Sequence, residues 1–235
     1  MTILQHLEEL RVRLFWVVGS VAVCAIAGWF LFDRTVHLLL KPARPYLDLT
    51  KGRLIFTGPL EAFTLHFKVA FVIGFCIALP IVLFHVWRFV SPGLHRREKR
   101  YAVPFIAAGM VLFAGGVGFA LVSLPEALHF LIGKGITGGV ISPLLSAQAY
   151  IQFGLLYLVV FGLSFEFPVI LMLLTTTGIV SSAQMAKYRR HAFMGIAVVV
   201  AVATPTVDWF TMTIMTIALY VLYEASIWVS RLLRR

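Results

Sequence analysis

Glu166 is the residue whose type and position most need a chemical reason. It is the one charged side chain in a 28-residue apolar run from Tyr150 to Thr177. A charge at the centre of a bilayer costs about 2.5–3.5 kcal/mol on insertion scales, so we expect Glu166 to face protein, water or a ligand. A hydrogen bond that holds neighbouring helices together is the simpler alternative. Pro168 lacks a backbone N–H and predicts a kink beside Glu166.

Two further carboxylates lie in basic segments. Glu9 belongs to HLEELRVRL at 6–14, and Glu98 stands in the run RREKR at 96–100. Carboxylates bind guanidinium groups through charge-assisted and often bidentate hydrogen bonds, so both residues could bind an arginine ligand. Local pairing is the alternative, because Arg13 lies four residues after Glu9 on a helix and Glu98 has basic neighbours on both sides. The residues alone leave both interpretations open.

Motifs of enzymes and of metal sites are absent from the sequence. We find no Ser/His/Asp set, no HExxH and no phosphate-binding loop. The histidines near the ends of the predicted helices have no ligand spacing (His66, His85, His95 and His191). The glycines at 115, 116 and 118 lack the strand–loop–helix context of a phosphate loop and favour close helix packing instead. We therefore predict a protein that is not an enzyme and has no metal or cofactor.

The composition predicts an all-α polytopic membrane protein, formed as a single domain over 1–235. Of the 235 residues, 60% are hydrophobic and 13% charged, against about 25% charged in soluble domains. Several apolar runs exceed the ~18 residues that cross a bilayer, and the alternation of a β-barrel is absent. The net charge of +10 gathers at helix ends, which indicates membrane topology and not nucleic-acid binding.

Six transmembrane helices are predicted from these runs. The last two are expected to be short, because sixteen residues at 1.5 Å each give about 24 Å, less than the ~30 Å of the hydrocarbon core. The predicted spans are approximately Leu14–Phe32, Leu65–Val90, Tyr101–Leu124, Tyr150–Thr177, Ala192–Val207 and Phe210–Val229.

Charge asymmetry predicts the orientation. Both termini and the 91–100 and 178–191 loops carry twelve of the twenty Lys and Arg residues, which places that side in the cytoplasm. The larger loops, about 33–64 and 125–149, then lie outside. The first is expected to form a cap of short helices along the outer surface.

Four local patterns resemble those of one protein family. They are HLEELRVRL at 6–14, FVSPGLHRREKR at 89–100, FGLSFEFPV at 161–169 and TPTVD at 204–208. Together with the six-span plan they resemble the TatC family, the core subunit of the twin-arginine protein translocase, over essentially the whole chain. The resemblance implies a receptor in the bacterial cytoplasmic membrane. Such a receptor binds twin-arginine signal peptides of folded proteins, recruits single-span TatA- and TatB-type partners and acts in transport driven by the proton motive force.

The resemblance also implies roles for individual residues. Signal-peptide binding falls to Glu9 and Glu98, with Arg11, Phe89 and Pro92 at other motif positions. Glu166 and Pro168 match the intramembrane polar site, expected to contact a signal peptide or partner helix from a cavity open to the cytoplasm. Pro42 and Asp208 match outer-side positions, and the alignment at Asp208 needs one inserted residue. Self-association and contact with the lipid bilayer are also implied.

Two other functions compete with this interpretation. A secondary transporter or ion channel could bind a proton or cation at Glu166. A single intramembrane acid, the lack of internal repeats and only six spans argue against it. An intramembrane enzyme would need a nucleophile–base pair or metal ligands within the spans, and the sequence offers neither.

Overall fold

The fold is described from a computed structural model and is helical. The described residues are 3–44, 54–56, 58–90, 102–133, 146–176, 178–204 and 208–233. Within these ranges the only β contact is an isolated parallel bridge between Ile55 and Ser146. The α-helices are α1 (Ile3–Phe30), α2 (Phe32–Ala43), α3 (Glu61–Val90), α4 (Ala102–Leu128), α5 (Ala147–Phe165), α6 (Phe167–Thr176), α7 (Ser182–Lys187), α8 (Arg189–Ala203) and α9 (Trp209–Leu233).

Several helices begin at side chains that satisfy free backbone amides. The Ser146 hydroxyl accepts the Ala149 N–H at the start of α5. Ser181 and Gln184 form a reciprocal capping box at the start of α7. The first N–H groups of a helix have no partner within the helix, so a hydroxyl or amide at this position fixes where the helix begins.

Among the described residues, five helical segments are long and apolar enough to cross a membrane: Leu4–Phe30, Glu61–Val90, Ala102–Ile132, Ala147–Thr176 and Trp209–Arg231. They correspond to the first four predicted spans and the sixth, with somewhat different bounds. The predicted fifth span corresponds to α8, whose 15 residues reach only about 22 Å. The expectation of a short helix is confirmed there.

The same expectation is wrong for the sixth span, and the third span extends beyond its predicted end at Leu124. Helix α9 has 25 residues, because its backbone hydrogen bonding continues through polar residues as far as Leu233. Helix α4 continues past Pro125 into the predicted outer loop and ends in a π-helical turn, His129–Gly133. A proline does not have to end a membrane helix, so an apolar run alone can underestimate helix length.

The first of two compact units comprises Met1–Leu38 and Phe56–Met110. In this unit α1 packs along α3 through small residues. A methyl group at Gly28 would collide with the Ala70 carbonyl, and one at Gly74 would lie 2.6 Å from the Ala25 nitrogen. Small residues allow the two backbones to approach closely, which is how membrane helices associate without a hydrophobic driving force.

The second unit comprises Leu39–Ile55 and Val111–Arg235, and in it α6, α7 and α8 pack on α9. A methyl group at Gly116 would lie 2.6 Å from the Phe161 carbonyl oxygen and 2.9 Å from the Phe165 Cβ. Close packing of the predicted glycine cluster is therefore confirmed at Gly116. The methyl group would meet nothing within 4 Å at Gly118.

The end of α2 is attached to α5 within this second unit. Leu39 and Ala43 are fully buried, Leu39 packs on Gly154 and the Tyr150 hydroxyl donates to the Leu39 carbonyl. Pro42 lies inside the last turn of α2. The predicted outer loop thus contains a helix, as expected, and its placement on the outer surface remains a prediction.

Candidate functional site

A cavity of about 520 Å³ lies between α1 and α3 in the first unit. The residues of α1 that line it recur at spacings of three and four, so they share one face of the helix. Two residues of α3, three apart, complete the lining. The lining residues are Gln5, Glu8, Glu9, Val12, Arg13, Trp16, His85 and Arg88.

The Glu9 carboxylate is the central acceptor of this cavity. Its Oε1 receives hydrogen bonds from Arg13, from Nε at 3.2 Å and from Nη2. Its Oε2 is buried and has no hydrogen-bond partner among the described residues. The Nδ1 atom of His6 stands 3.8 Å from that oxygen. The local pair that the sequence offered as an alternative therefore forms, and it leaves one carboxylate oxygen unused.

A ring contact joins the N-terminal motif to the end of the second predicted span. The His6 ring stacks on Phe89 with centroids 4.2 Å apart and an interplanar angle of 17°. Two of the predicted signal-binding segments are thus brought together. Arg11 is exposed, with its guanidinium 5.8 Å from the Phe15 ring. Pro92 and Glu98 lie outside the described residues, so their roles remain predictions.

Four lining residues lie outside the motifs that stand out in the sequence: Gln5, Trp16, His85 and Arg88. Trp16 and His85 resemble ordinary interfacial side chains near helix ends, and Arg88 resembles a charge at the end of a span. The spacing of His85 and Arg88 could have indicated a shared face of α3. Only the packing of the two helices decides which face of α1 this face of α3 meets.

The helix is interrupted at Glu166, as the proline predicted. Helix α5 ends at Phe165 and α6 begins at Phe167. The Glu166 N–H bonds back to the Leu163 carbonyl at 3.1 Å. Pro168 cannot donate to a carbonyl one turn back, which breaks the regular ladder at this point.

The Glu166 side chain is buried. It is 6% exposed, and both carboxylate oxygens are buried without a hydrogen-bond partner in the described part of the chain. The expectation that it avoids lipid is confirmed. The expected opening to a cytoplasmic cavity stays a prediction. An unpaired polar group of this kind is costly and marks a candidate contact for another molecule.

A second acid, Glu224, also lies in a membrane-spanning helix and corrects the expectation of a single one. It makes two contacts with Arg189: a hydrogen bond from Nη2 to Oε2 at 2.8 Å and an ion-pair contact between Nε and Oε1 at 2.7 Å. The Tyr220 hydroxyl adds a third at 3.2 Å. The hydrogen bond to Glu224 raises the pKa of Arg189 above its ordinary value. An acid in the apolar sixth span was the signal in the sequence, and only the packing of α8 on α9 shows its partner.

Asp208 begins α9. Its Oδ1 accepts the Thr211 N–H at 2.7 Å, and its Oδ2 is buried without a partner among the described residues. The carboxylate therefore caps the helix. In the same described ranges no group of three or more His, Cys, Asp or Glu residues could hold a metal ion.

Comparisons with known proteins agree on one family. The sequence model of the family described as Sec-independent protein translocase protein (TatC) matches residues 5–217. The protein of that name from Aquifex aeolicus is 36% identical, with 100% of this chain and 97% of the relative covered. The one from Koribacter versatilis is 34% identical, with 98% and 85% covered.

A solved structure supports the same conclusion. The crystal structure of the twin arginine translocase receptor TatC in DDM matches with a TM-score of 0.81 and 33% identity, covering 96% of this chain and 99% of that one. Since the family model, the relatives and the fold agree over nearly the whole length, the chain belongs to the TatC family of multi-pass membrane proteins of the Sec-independent protein translocase.

Proposed function

We propose that this protein is the receptor subunit of a twin-arginine translocase and that the cavity between α1 and α3 binds the signal peptide. The observation that carries the proposal is the position of Glu9. Its carboxylate lines a cavity of about 520 Å³ and keeps one oxygen without a hydrogen-bond partner in the described chain. That oxygen is an acceptor for a ligand guanidinium.

The lining of the cavity suits an arginine-containing peptide. Its volume falls in the range of about 300–1,000 Å³ that is typical of ligand sites. Glu8 adds a second carboxylate, and Trp16, 64% exposed, offers a flat ring on which a guanidinium can stack. A lysine ammonium cannot bind both oxygens of a carboxylate in parallel and stacks less well on a ring than a guanidinium does. The cavity can therefore discriminate between arginine and lysine.

The wider role follows from the family. The receptor acts in the bacterial cytoplasmic membrane, with six crossings and both termini in the cytoplasm. It recruits TatA- and TatB-type single-span proteins, and proton-motive-force-driven transport of folded substrates follows. It is not an enzyme. Pro42 and Asp208 stand at the outer side in this arrangement, and Glu98 joins Glu9 in signal binding.

We place a contact with a signal or partner helix at Glu166. The carboxylate is buried and unpaired within its described surroundings, at a break between α5 and α6. A polar group of an incoming helix would satisfy it, provided that neighbouring helices of its unit first move apart. A small-solute transporter centred on Glu166 is the weaker candidate, because the family is a protein translocase component.

The direct test is photo-crosslinking from the cavity to a twin-arginine signal peptide. A photoreactive residue at Val12 lines the cavity and leaves Glu9 intact, whereas the same residue at Val23 on α1 lies outside the lining. We expect crosslinks from position 12 with a twin-arginine peptide, and loss of these crosslinks with a twin-lysine peptide or with Glu9→Gln.

Three outcomes would contradict the proposal. Equal crosslinking of the twin-lysine peptide would show that the cavity does not recognise arginine. Crosslinks that survive Glu9→Gln would remove Glu9 from the site. Solute uptake by the purified protein in vesicles, without crosslinks, would favour the transporter.

A further inference from the structure

Arg13 already occupies the carboxylate that the proposed function assigns to a ligand arginine. Both its Nε and its Nη2 donate to Glu9 Oε1. The Arg13 side chain is 13% exposed and that of Glu9 is 21% exposed, so the pair is partly shielded from water. In the empty protein, the cavity therefore contains a guanidinium of its own.

This internal pair is incomplete. A guanidinium binds a carboxylate most strongly when two parallel N–H groups meet the two oxygens. Arg13 reaches only Oε1, while Oε2 is buried and has no hydrogen-bond partner in the described chain. A ligand arginine that approached from the cavity could take both oxygens, but only if Arg13 released Oε1.

Releasing Arg13 is inexpensive. On an exposed helix, a glutamate and an arginine four apart shift the helix–coil equilibrium by only about two-fold, and the partial burial of this pair makes it somewhat stronger. Arg13 also stays on the cavity face of α1 after release, where water in the cavity can solvate it. The Arg13–Glu9 pair is thus strong enough to form in the absence of a ligand and weak enough for a ligand to break it.

We propose that Arg13 is an internal competitor for the signal arginine and helps to set the specificity of the cavity. Arg13 holds Glu9 in the empty receptor, and an arginine of the signal displaces it by binding both oxygens. A signal lysine is a point charge that cannot form the bidentate pair, so it displaces Arg13 less effectively. This inference rests on the proposed function and adds a mechanism for rejecting lysine.

The test compares the affinities of labelled twin-arginine and twin-lysine peptides for the purified full-length chain, measured by fluorescence anisotropy in detergent. Arg13→Gln removes the competitor. We expect the Kd of the twin-arginine peptide to fall about two- to five-fold. The Kd of the twin-lysine peptide should fall by a larger factor, so the ratio of the twin-lysine Kd to the twin-arginine Kd becomes smaller.

Two further variants separate competition from simple charge repulsion. Arg88→Gln removes an equal charge from the lining of the same cavity. An affinity gain as large as that of Arg13→Gln would point to repulsion and overturn the inference. In a Glu9→Gln background the carboxylate is gone, so Arg13→Gln should raise affinity no further than Arg88→Gln does.

The remaining outcomes are also decisive. Weaker or unchanged binding by Arg13→Gln, in protein that elutes and melts like the wild type, would show that Arg13 orients Glu9 or takes no part. Arg13→Lys keeps the charge and should give an intermediate affinity, which tests the inference even where Arg13→Gln folds poorly. Failure of the wild type to bind the twin-arginine peptide would instead refute the proposed function.

Discussion

Replacing Glu166 by leucine should raise the thermal stability of the protein, whereas the same change at Glu224 should lower it. Both acids lie in helices that can span the membrane. They differ in their partners. Glu166 is buried with both oxygens unpaired within the described chain, and Glu224 holds the Arg189 guanidinium through two contacts.

The magnitudes follow from these partners. An unsatisfied buried polar group costs about 1–3 kcal/mol, and leucine restores apolar packing at a small cost in fit. We expect Glu166→Leu to stabilise by about 1–2 kcal/mol, which corresponds to a Tm higher by about 2–8 °C for a chain of this size. Arg189 and Glu224 are 41% and 26% exposed, so the pair is only partly buried. Its loss should lower the Tm only slightly.

The assay is thermal unfolding in detergent, followed by intrinsic tryptophan fluorescence, together with export of a twin-arginine reporter in cells. Glu166→Gln and Glu224→Gln are the matched controls, because they remove the charge and keep most of the shape. We expect Glu166→Leu to be more stable and defective in export, as a residue reserved for another molecule should be.

A lower Tm for Glu166→Leu would refute the reasoning, because it would show that the carboxylate has a stabilising partner in the folded protein. An unchanged Tm for Glu224→Leu would show that the Arg189 contact contributes nothing measurable. Normal export by Glu166→Leu would remove Glu166 from the proposed contact while leaving the stability argument intact.

Two other substitutions test helix packing and capping. Gly116→Ala should lower the free energy of unfolding by about 1–3 kcal/mol, because its Cβ would lie 2.6 Å from the Phe161 carbonyl oxygen. Gly118→Ala has nothing within 4 Å of its Cβ, so it should be neutral or stabilising by up to about 1 kcal/mol. Equal Tm values for the two variants would contradict this packing. Asp208→Ala should destabilise the protein by about 0.5–2 kcal/mol, because the hydrogen bond from the Thr211 N–H is lost, whereas Asp208→Asn should retain most of the stability. Thermal unfolding distinguishes the two variants. A large loss of stability with asparagine would mean that the charge of Asp208 matters, and not its capping hydrogen bond.

The helices and the chemistry of single residues were readable from the sequence. A helix is formed by hydrogen bonds within one segment, and an apolar run long enough to cross a bilayer leaves few other structures open. The same local logic predicted the break at Glu166 from Pro168. It failed at the end of α9, where polar residues continue a helix that hydropathy alone would end.

Partnerships between segments were not readable. Nothing in the sequence pairs Arg189 with Glu224, since the two are 35 residues apart and the choice depends on how α8 packs on α9. The cavity is a similar case, because Glu9 and Arg13 are local neighbours whereas His85 and Arg88 reach them only through the packing of α1 on α3.

The sequence by itself therefore determined the class of protein and most of its membrane helices. It also showed which acidic residues lie where a charge requires an explanation. Those properties depend on composition and on contacts within one helix. The tertiary structure decided that Glu166 is left without a partner in its described surroundings and Glu224 is not, and that Glu9 lines a cavity. These distinctions depend on which helix faces pack against each other. That packing is determined by contacts between side chains that are far apart in the sequence.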